Sequence, residues 1–198
     1  MIVGEDFNHH DSVSVQAIEN AVWRWINRAV IGLNLCPFAK AAHVKQVIHL
    51  QICSSRIEQE VISVLIFELN SLFALPASER ETTLLVISGC LLEFDAFNDF
   101  LVIADRILSD LNLKGEIQIA SFHPNYQFDG TQADDVSNHT NRSPYPILHL
   151  LREQSIEKAL DGFENPESIF EANIATLNKL GLEGWIRLDV GPCKGDVG

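Results

Sequence analysis

Basic residues are scarce in this sequence. Its 14 lysines and arginines stand against 27 acidic residues, so the 198-residue chain has a formal net charge of −13. The basic residues form no cluster anywhere along the chain. A surface of this sign repels phosphate backbones, so we expect no nucleic-acid partner.

Long apolar runs and paired cysteines are also lacking. No stretch approaches the roughly 20 apolar residues of a transmembrane helix, and no basic segment followed by an apolar run indicates a signal peptide. The four cysteines, Cys36, Cys53, Cys90 and Cys193, form no CxxC pair. Scattered cysteines in a chain of this length are typical of reduced thiols. The sequence therefore predicts an acidic, cytoplasmic protein with no membrane partner and no disulfide framework.

The apolar content is large enough for a folded core. Hydrophobic residues make up 46% of the chain and charged residues 21%. This composition and length suit a single globular domain. We expect a single α/β domain over residues 12–185, with flexible termini at 1–11 and 186–198.

Helical and strand patterns alternate along the chain. Strand patterns occupy Lys45–Cys53, Thr83–Ser88 and Glu116–Ser121, and helical patterns precede each of them. Two further helices are predicted at Ile147–Leu160 and after Asn165-Pro166. This order predicts the α/β class: a small, mostly parallel or mixed sheet of about three strands with helices on both faces, and a long functional loop before two C-terminal helices. A ferredoxin-like α+β arrangement is the alternative, because three strands make a small sheet.

The predicted loop, Ser121–Pro146, has few apolar residues for its length. Loops this long usually serve as lids or binding loops, or are disordered. In open α/β sheets, ligands bind outside the carboxyl ends of the strands, and here the predicted strands end in CSS, SGC and SFH. The pattern predicts a pocket at those ends, next to the loop. The simpler interpretation is that serine and glycine merely end strands, and for the first two strands it is favoured.

Arg142 lies just before the predicted helix that follows the loop. A guanidinium beside a helix N-terminus is suited to holding a carboxylate or a phosphate. Alternatively, Arg142 pairs with a loop aspartate and pins the loop. On the predicted helix, His149 and Glu153 are four residues apart, so they could hold a metal or act as an acid/base pair. A surface hydrogen bond between them is the simpler interpretation.

Cys36 stands directly before Pro37. If Pro37 opens a short helical turn, Cys36 occupies an N-cap position and its thiolate is stabilised. If the preceding helix runs unbroken to Leu35, the thiol faces the negative end of the helix dipole and is less reactive. A buried cysteine beside Phe38 with no chemical role is the third interpretation.

Five segments together resemble a known bacterial family, domain of unknown function 1415: GLNLCPFA, TTLLVIS, QIASFHPNYQF, NRSPYPILHLLRE and NIATLNKLGLEGW. The resemblance spans residues 15–185 and implies no established activity. It does imply which positions could share a site. These are Cys36, His123, Tyr126, Asp134, Asn141, Arg142, Ser143, Tyr145, His149, Arg152 and Glu153.

The leading hypothesis is an enzyme that acts on a small anionic metabolite, a hydrolase or transferase, since no P-loop, GxGxxG or GxSxG motif is present. The expected catalytic residues are Cys36, His123, His149 and Glu153. The expected substrate-binding residues are Tyr126, Asp134, Asn141, Arg142, Ser143, Tyr145 and Arg152. Alternatively, Cys36, His123, His149 and Glu153 hold zinc or iron as a divalent metal site, or the protein binds without catalysis. The enzyme hypothesis predicts that His123 and His149 face one cavity beside Cys36.

Overall fold

The computed structural model describes residues 13–160 and 167–193. The strands are β1 (Ile48–Cys53), β2 (Thr82–Ile87), β3 (Ile117–Phe122) and β4 (Ile147–Arg152). The helices are α1 (Val15–Trp25), a π-helix (Ile26–Ile31), α2 (Ala39–Val44), α3 (Glu58–Ala74), α4 (Phe94–Asp110), a 3-10 helix (Val136–Thr140), α5 (Glu153–Leu160) and α6 (Glu167–Arg187). No helix in this part of the chain is long and apolar enough to span a bilayer. The predicted flexible segment 1–11 lies outside the described residues.

The four strands form one mixed sheet in the order β1-β2-β4-β3. β1 and β2 are parallel, whereas β4 is antiparallel to β2 and to β3. β1, β2 and β3 therefore run in one direction, and their carboxyl ends meet at one edge of the sheet. The α/β class and the mixed sheet are confirmed, with four strands where about three were expected.

The additional strand is β4, and the predicted helix over residues 147–160 is wrong for its first half. Leu148 and Leu150 are fully buried on one face of the sheet, and Ile147 is fully buried on the other. A short apolar run fits a central strand and a buried helix equally well, so pairing partners decide between them. Here β2 and β3 both pair with this segment. Only from Glu153 is the chain helical, which removes His149 from any helix face shared with Glu153.

Helices cover both faces of the sheet. One face packs against α3 and α4 through Leu65, Leu69, Phe97 and Phe100, all at most 1% exposed. The other face packs against α1 and the π-helix, and against Trp185 and Val190 near the end of the described chain. β2 lies between two neighbouring strands and two helical layers, and every one of its residues is buried. The apolar run Leu84–Ile87 follows from this position, because a strand covered on both faces has no polar face.

Two glycines lie where helical segments end, one after the π-helix and one within α6. The predicted first helix is confirmed in outline, but it changes at Ile26 into a π-helix that ends before Gly32. In α6 the backbone at Gly181 has φ 67°, a left-handed conformation that glycine adopts without a steric penalty. The helix predicted after Asn165-Pro166 is broken there, and a second helical segment then continues to Arg187.

The segment after α6 makes hydrogen bonds to α1 and to the π-helix. Arg24 Nε donates to the carbonyl of Asp189 at 2.6 Å, and Arg28 Nη1 donates to the carbonyl of Leu188 at 2.9 Å. Val190 is buried in the core below α1. These contacts hold residues 188–190 against α1 and the π-helix, within the segment for which the sequence predicts a flexible terminus, and residues 194–198 lie outside the described chain.

Candidate ligand site

A cavity of about 650 Å³ lies between the sheet and the helices α2, α5 and the π-helix. Its floor includes Ile48, Thr82 and Leu151, which are side by side in the register of β1, β2 and β4. Ile48 and Thr82 begin their strands, whereas Leu151 is near the end of β4. The cavity therefore lies toward the amino ends of β1 and β2, away from the carboxyl ends where the sequence predicts a pocket.

The carboxyl ends of β1 and β2 are packed closely together. Ser88 Oγ donates to Ser54 Oγ at 3.0 Å. A Cβ added at Gly89 would lie 2.3 Å from the carbonyl oxygens of both Ser54 and Ser55. Small residues at these two strand ends thus allow two backbone segments to touch, as the simpler interpretation of the sequence holds.

The cavity walls are mainly apolar, with a few polar and charged groups. The apolar side chains include Trp25, Ile26, Val30, Phe38, Leu84, Phe122 and Ile156. Cys36, Thr82 and His149 also line the cavity. The charged residues that line it are Lys45, Glu81, Arg152 and Lys158. A site of this composition can enclose an apolar molecule while offering polar contacts at a few points.

The imidazole of His149 is held by Thr82 on the neighbouring strand. His149 Nε2 and Thr82 Oγ1 are 2.7 Å apart, and Thr82 Oγ1 donates to the carbonyl of Leu150 at 2.6 Å. Burial lowers the pKa of His149 to about 4. The ring is consequently neutral at pH 7.

Cys36 lies in a turn two residues before Phe38, the N-cap of α2, so it does not occupy the predicted N-cap position. The Ala39 N–H donates to the carbonyl of Cys36 at 3.3 Å. Burial raises the pKa of the Cys36 thiol, and the amide groups of Phe38 and Ala39 only partly oppose this. The predicted stabilisation by backbone amides is thus present, but it is the smaller effect, and the thiol is protonated at pH 7.

His123 is separated from the cavity, so the prediction that it shares one with His149 is wrong. The His123 ring is fully buried and packs 5.3 Å from Phe94 and 5.2 Å from Phe97, between ring centroids. Its Nδ1 accepts a hydrogen bond from the Asn125 N–H at 3.0 Å. These contacts place His123 beside the core of α4, on the face of the sheet opposite to His149. Burial lowers the pKa of His123 as well.

The four residues proposed as metal ligands are not brought together. Glu153 begins α5 and borders a separate groove with Ile117 and Asp105. Cys36 and His149 share the cavity, while His123 lies across the sheet. Within residues 13–160 and 167–193, no three His, Cys, Asp or Glu side chains are grouped so as to hold a metal ion.

The loop between β3 and β4 is held by its own hydrogen bonds. Asn138 is fully buried, and its Oδ1 accepts from the Phe128 N–H at 3.0 Å and from the Thr131 hydroxyl at 2.8 Å. Its Nδ2 donates to the carbonyl of Gln132 at 2.8 Å. The neighbouring His139 ring stacks on Trp185 of α6 at 4.4 Å. The loop is therefore anchored both internally and to α6.

Arg142 pins this loop. Its Nε donates to the carbonyl of Tyr126 at 3.1 Å, and its Nη2 donates to the carbonyl of Ala133 at 2.6 Å. The pinning alternative thus describes its contacts, with backbone carbonyls in place of aspartates. Arg142 does not line the cavity.

The remaining predicted binding residues also make contacts within the protein. Tyr126 packs against Phe94 and Phe128, with a pKa raised by burial, and Asp134 is exposed. Asn141 Nδ2 donates to the carbonyl of Ser121 at 3.3 Å, Ser143 Oγ donates to the carbonyl of Tyr145 at 2.5 Å, and the Tyr145 ring is buried in the core below α1. Arg152 alone among the predicted binding residues lines the cavity, and its guanidinium also donates to the carbonyls of Leu72, Leu75 and Arg80.

Sequence reasoning missed Thr82 and the cavity lysines Lys45 and Lys158. Thr82 could have been found as one of two threonines that begin an otherwise apolar strand. Its pairing with His149 could not, because β4 was expected to be helical. The two lysines are ordinary solvent-exposed residues of the local pattern and carry no signal in the sequence.

We expect Arg142→Lys to lower the free energy of unfolding by about 1–3 kcal/mol, because a lysine cannot donate to both carbonyls in the same geometry. Urea denaturation measures this change. Arg106→Lys is the matched control, since Arg106 is exposed and pairs with the exposed Asp110 one turn along α4. Equal stability of the two variants would contradict the pinning role.

Comparison with known proteins places the chain in a family without adding a function. No curated protein and no solved structure matches it. The family described as "Protein of unknown function (DUF1415)" has a model that matches residues 17–187, nearly the whole chain and all the strands described above. The chain therefore belongs to the DUF1415 family.

Proposed function

We propose that this protein binds a small molecule with a mainly apolar body and an acidic group. The apolar cavity with cationic residues among its lining is the observation that supports this proposal most directly. Binding pockets for small molecules commonly enclose about 300–1,000 Å³, and the volume of about 650 Å³ lies within that range. The anionic small molecule expected from the sequence is retained, at a different place in the fold.

The acidic group is argued from local charge. Three cationic residues, Lys45, Arg152 and Lys158, line the cavity with one carboxylate, Glu81. The chain as a whole carries a formal charge of −13. A positive region on so acidic a protein attracts an anion and repels a cation at that place.

Catalysis at the same site is the second candidate, favoured by the presence of Cys36 and His149 in one cavity. Proton transfer from the thiol to the imidazole would form the nucleophile. Among the protein groups that surround the pair, this transfer is unfavourable, because burial raises the pKa of Cys36 and lowers that of His149 to about 4. Binding is therefore the leading proposal. Hydrolysis or acyl transfer requires a ligand that lowers the pKa of Cys36 and raises the pKa of His149.

Calorimetric titration with octanoate and 1-octanol tests the proposal. Both probes are expected to bind, octanoate more tightly. A Lys45→Gln, Lys158→Gln double variant should weaken octanoate by up to about fivefold for each charge removed, and leave 1-octanol nearly unchanged. Lys40→Gln is the matched control, because Lys40 is an exposed lysine of α2 outside the cavity lining.

A cavity-filling variant locates the binding site. Ala42→Phe places a ring where the buried Ala42 of α2 now lines the cavity, and should abolish binding of both probes while the thermal transition remains cooperative. Failure of both probes to bind the native protein, or full binding by this variant, would contradict the proposal.

A further inference from the structure

We infer that His149 is a fixed hydrogen-bond acceptor in the cavity wall, so the ligand presents a hydroxyl or another donor to it. Given the proposed function, this specifies the ligand as an apolar acid with a hydroxyl group. The inference depends on that function for the existence of a ligand. The hydrogen bonds of Thr82 determine which nitrogen of His149 can accept a hydrogen bond from that ligand.

The single hydroxyl hydrogen of Thr82 decides which ring nitrogen of His149 carries a proton. Thr82 Oγ1 lies 2.6 Å from the Leu150 carbonyl oxygen, which can only accept, so the hydroxyl hydrogen is directed there. Thr82 Oγ1 then has only lone pairs to offer to His149 Nε2, at 2.7 Å. Nε2 must therefore be the protonated nitrogen that donates to Thr82.

The sheet holds this arrangement in place. Thr82 pairs with Leu151 and Leu84 pairs with His149, so the threonine and the histidine lie diagonally on adjacent strands. Thr82 is only 6% exposed, which leaves its hydroxyl little freedom to find other partners. A change of tautomer would leave two lone pairs facing each other at 2.7 Å.

Nδ1 is the nitrogen left for a ligand. In a neutral imidazole with a proton on Nε2, Nδ1 carries the lone pair and can only accept. The bond to Thr82 is the only hydrogen bond of the ring within the described residues, and the ring lines the cavity. Burial, which keeps the ring neutral at pH 7, also keeps Nδ1 unprotonated.

An acceptor in an apolar wall selects its ligand. A carbon atom placed there leaves Nδ1 without a partner, and an ether oxygen sets one lone pair against another. A hydroxyl donates to Nδ1 and satisfies it. The difference between a satisfied and an unsatisfied buried polar group corresponds to roughly 10- to 100-fold in affinity.

Nitrogen NMR of the imidazole rings tests the assignment in the free protein. Long-range ¹H–¹⁵N correlation spectra at pH 7, with the His149 signals identified by their loss in His149→Phe, should show a proton on Nε2 and none on Nδ1. In Thr82→Val, which removes the hydroxyl at similar volume, the tautomer with a proton on Nδ1 should become populated. A native ring with its proton on Nδ1, or on both nitrogens, would overturn the inference.

Binding of octanoate and of hydroxyoctanoates with the hydroxyl at each position along the chain tests the ligand class. At least one hydroxyl position should bind 10-fold or more tightly than octanoate, and its methyl ether should lose that gain. The gain should also vanish in His149→Phe. Octanoate binding that no hydroxyl improves would overturn this inference alone. Absence of binding by every acid would overturn the proposed function, and the ligand class with it, whatever the tautomer.

Discussion

Acidification from pH 7 to pH 5 is expected to lower the free energy of unfolding by several kcal/mol. His139 and His149 both have their pKa lowered to about 4, from an ordinary 6.5. Burial is the main cause for both, and for His139 the positive charge of Arg142 adds to it. Burial likewise lowers the pKa of His49 and His123.

The sign follows from proton uptake. Below pH 6.5 the unfolded chain binds protons that the folded chain does not bind until about pH 4, so stability is complete above pH 6.5 and is lost as the pH falls. A ring shifted from 6.5 to about 4 loses up to about 2 kcal/mol between pH 7 and pH 5, and less if water reaches it.

Urea denaturation at several pH values measures this loss, and His139→Phe provides the test of its origin. Phenylalanine can retain the stacking on Trp185, where the rings are 4.4 Å apart, but does not titrate. In this variant the free energy of unfolding should fall less steeply between pH 7 and pH 5, because the contribution of the His139 ring is removed. Equal stability of the native protein at pH 7 and pH 5, or histidine titrations near pH 6.5 for both rings, would contradict the expectation.

Asn138→Ala is expected to lower the free energy of unfolding by about 3 kcal/mol and to make the loop between β3 and β4 sensitive to proteases. The substitution removes the acceptor of the Phe128 N–H and the donor to the Gln132 carbonyl. It also leaves a small cavity where the fully buried amide was. Each buried group left without a partner costs about 1–3 kcal/mol.

Limited proteolysis with mapping of the cut sites, combined with urea denaturation, measures both effects. Asn125→Ala is the matched control in the same loop, because Asn125 is exposed and its contact to His123 uses the backbone N–H, which alanine retains. The control should behave like the native protein. Rapid cleavage of the native loop, or no difference between the two variants, would show that Asn138 does not organise this segment.

Most elements could be predicted because their patterns are local. The alternation in β1, the apolar β-branched run of β2 and the periodic apolar residues of α3 and α4 each have one structural interpretation. β4 does not, since ILHLL fits either a buried helix or a central strand. Its pairing with β2 and β3 involves residues distant in sequence, which no local pattern reports.

The residues that line the cavity could be predicted only in part, again because no local pattern reports which distant segments meet. Cys36 and His149 do line one cavity, as the enzyme hypothesis expected. His123 does not, because it follows Phe122, and successive side chains along an extended chain point to opposite faces. Phe122 lines the cavity, and His123 is buried against Phe97 on the other face.

By itself, the sequence determined the net negative charge, the α/β class, most of the helices and strands and the residues able to do chemistry, because composition, periodicity and residue type are local properties. Only the tertiary structure decided that the cavity lies away from the carboxyl ends of β1 and β2, that Arg142 pins the loop, and that Thr82 directs the proton of His149. Each of these depends on which distant segments meet and on the direction in which β4 crosses the sheet. Burial then set the protonation states of Cys36 and His149, because the desolvation of a charge depends on what surrounds it in space.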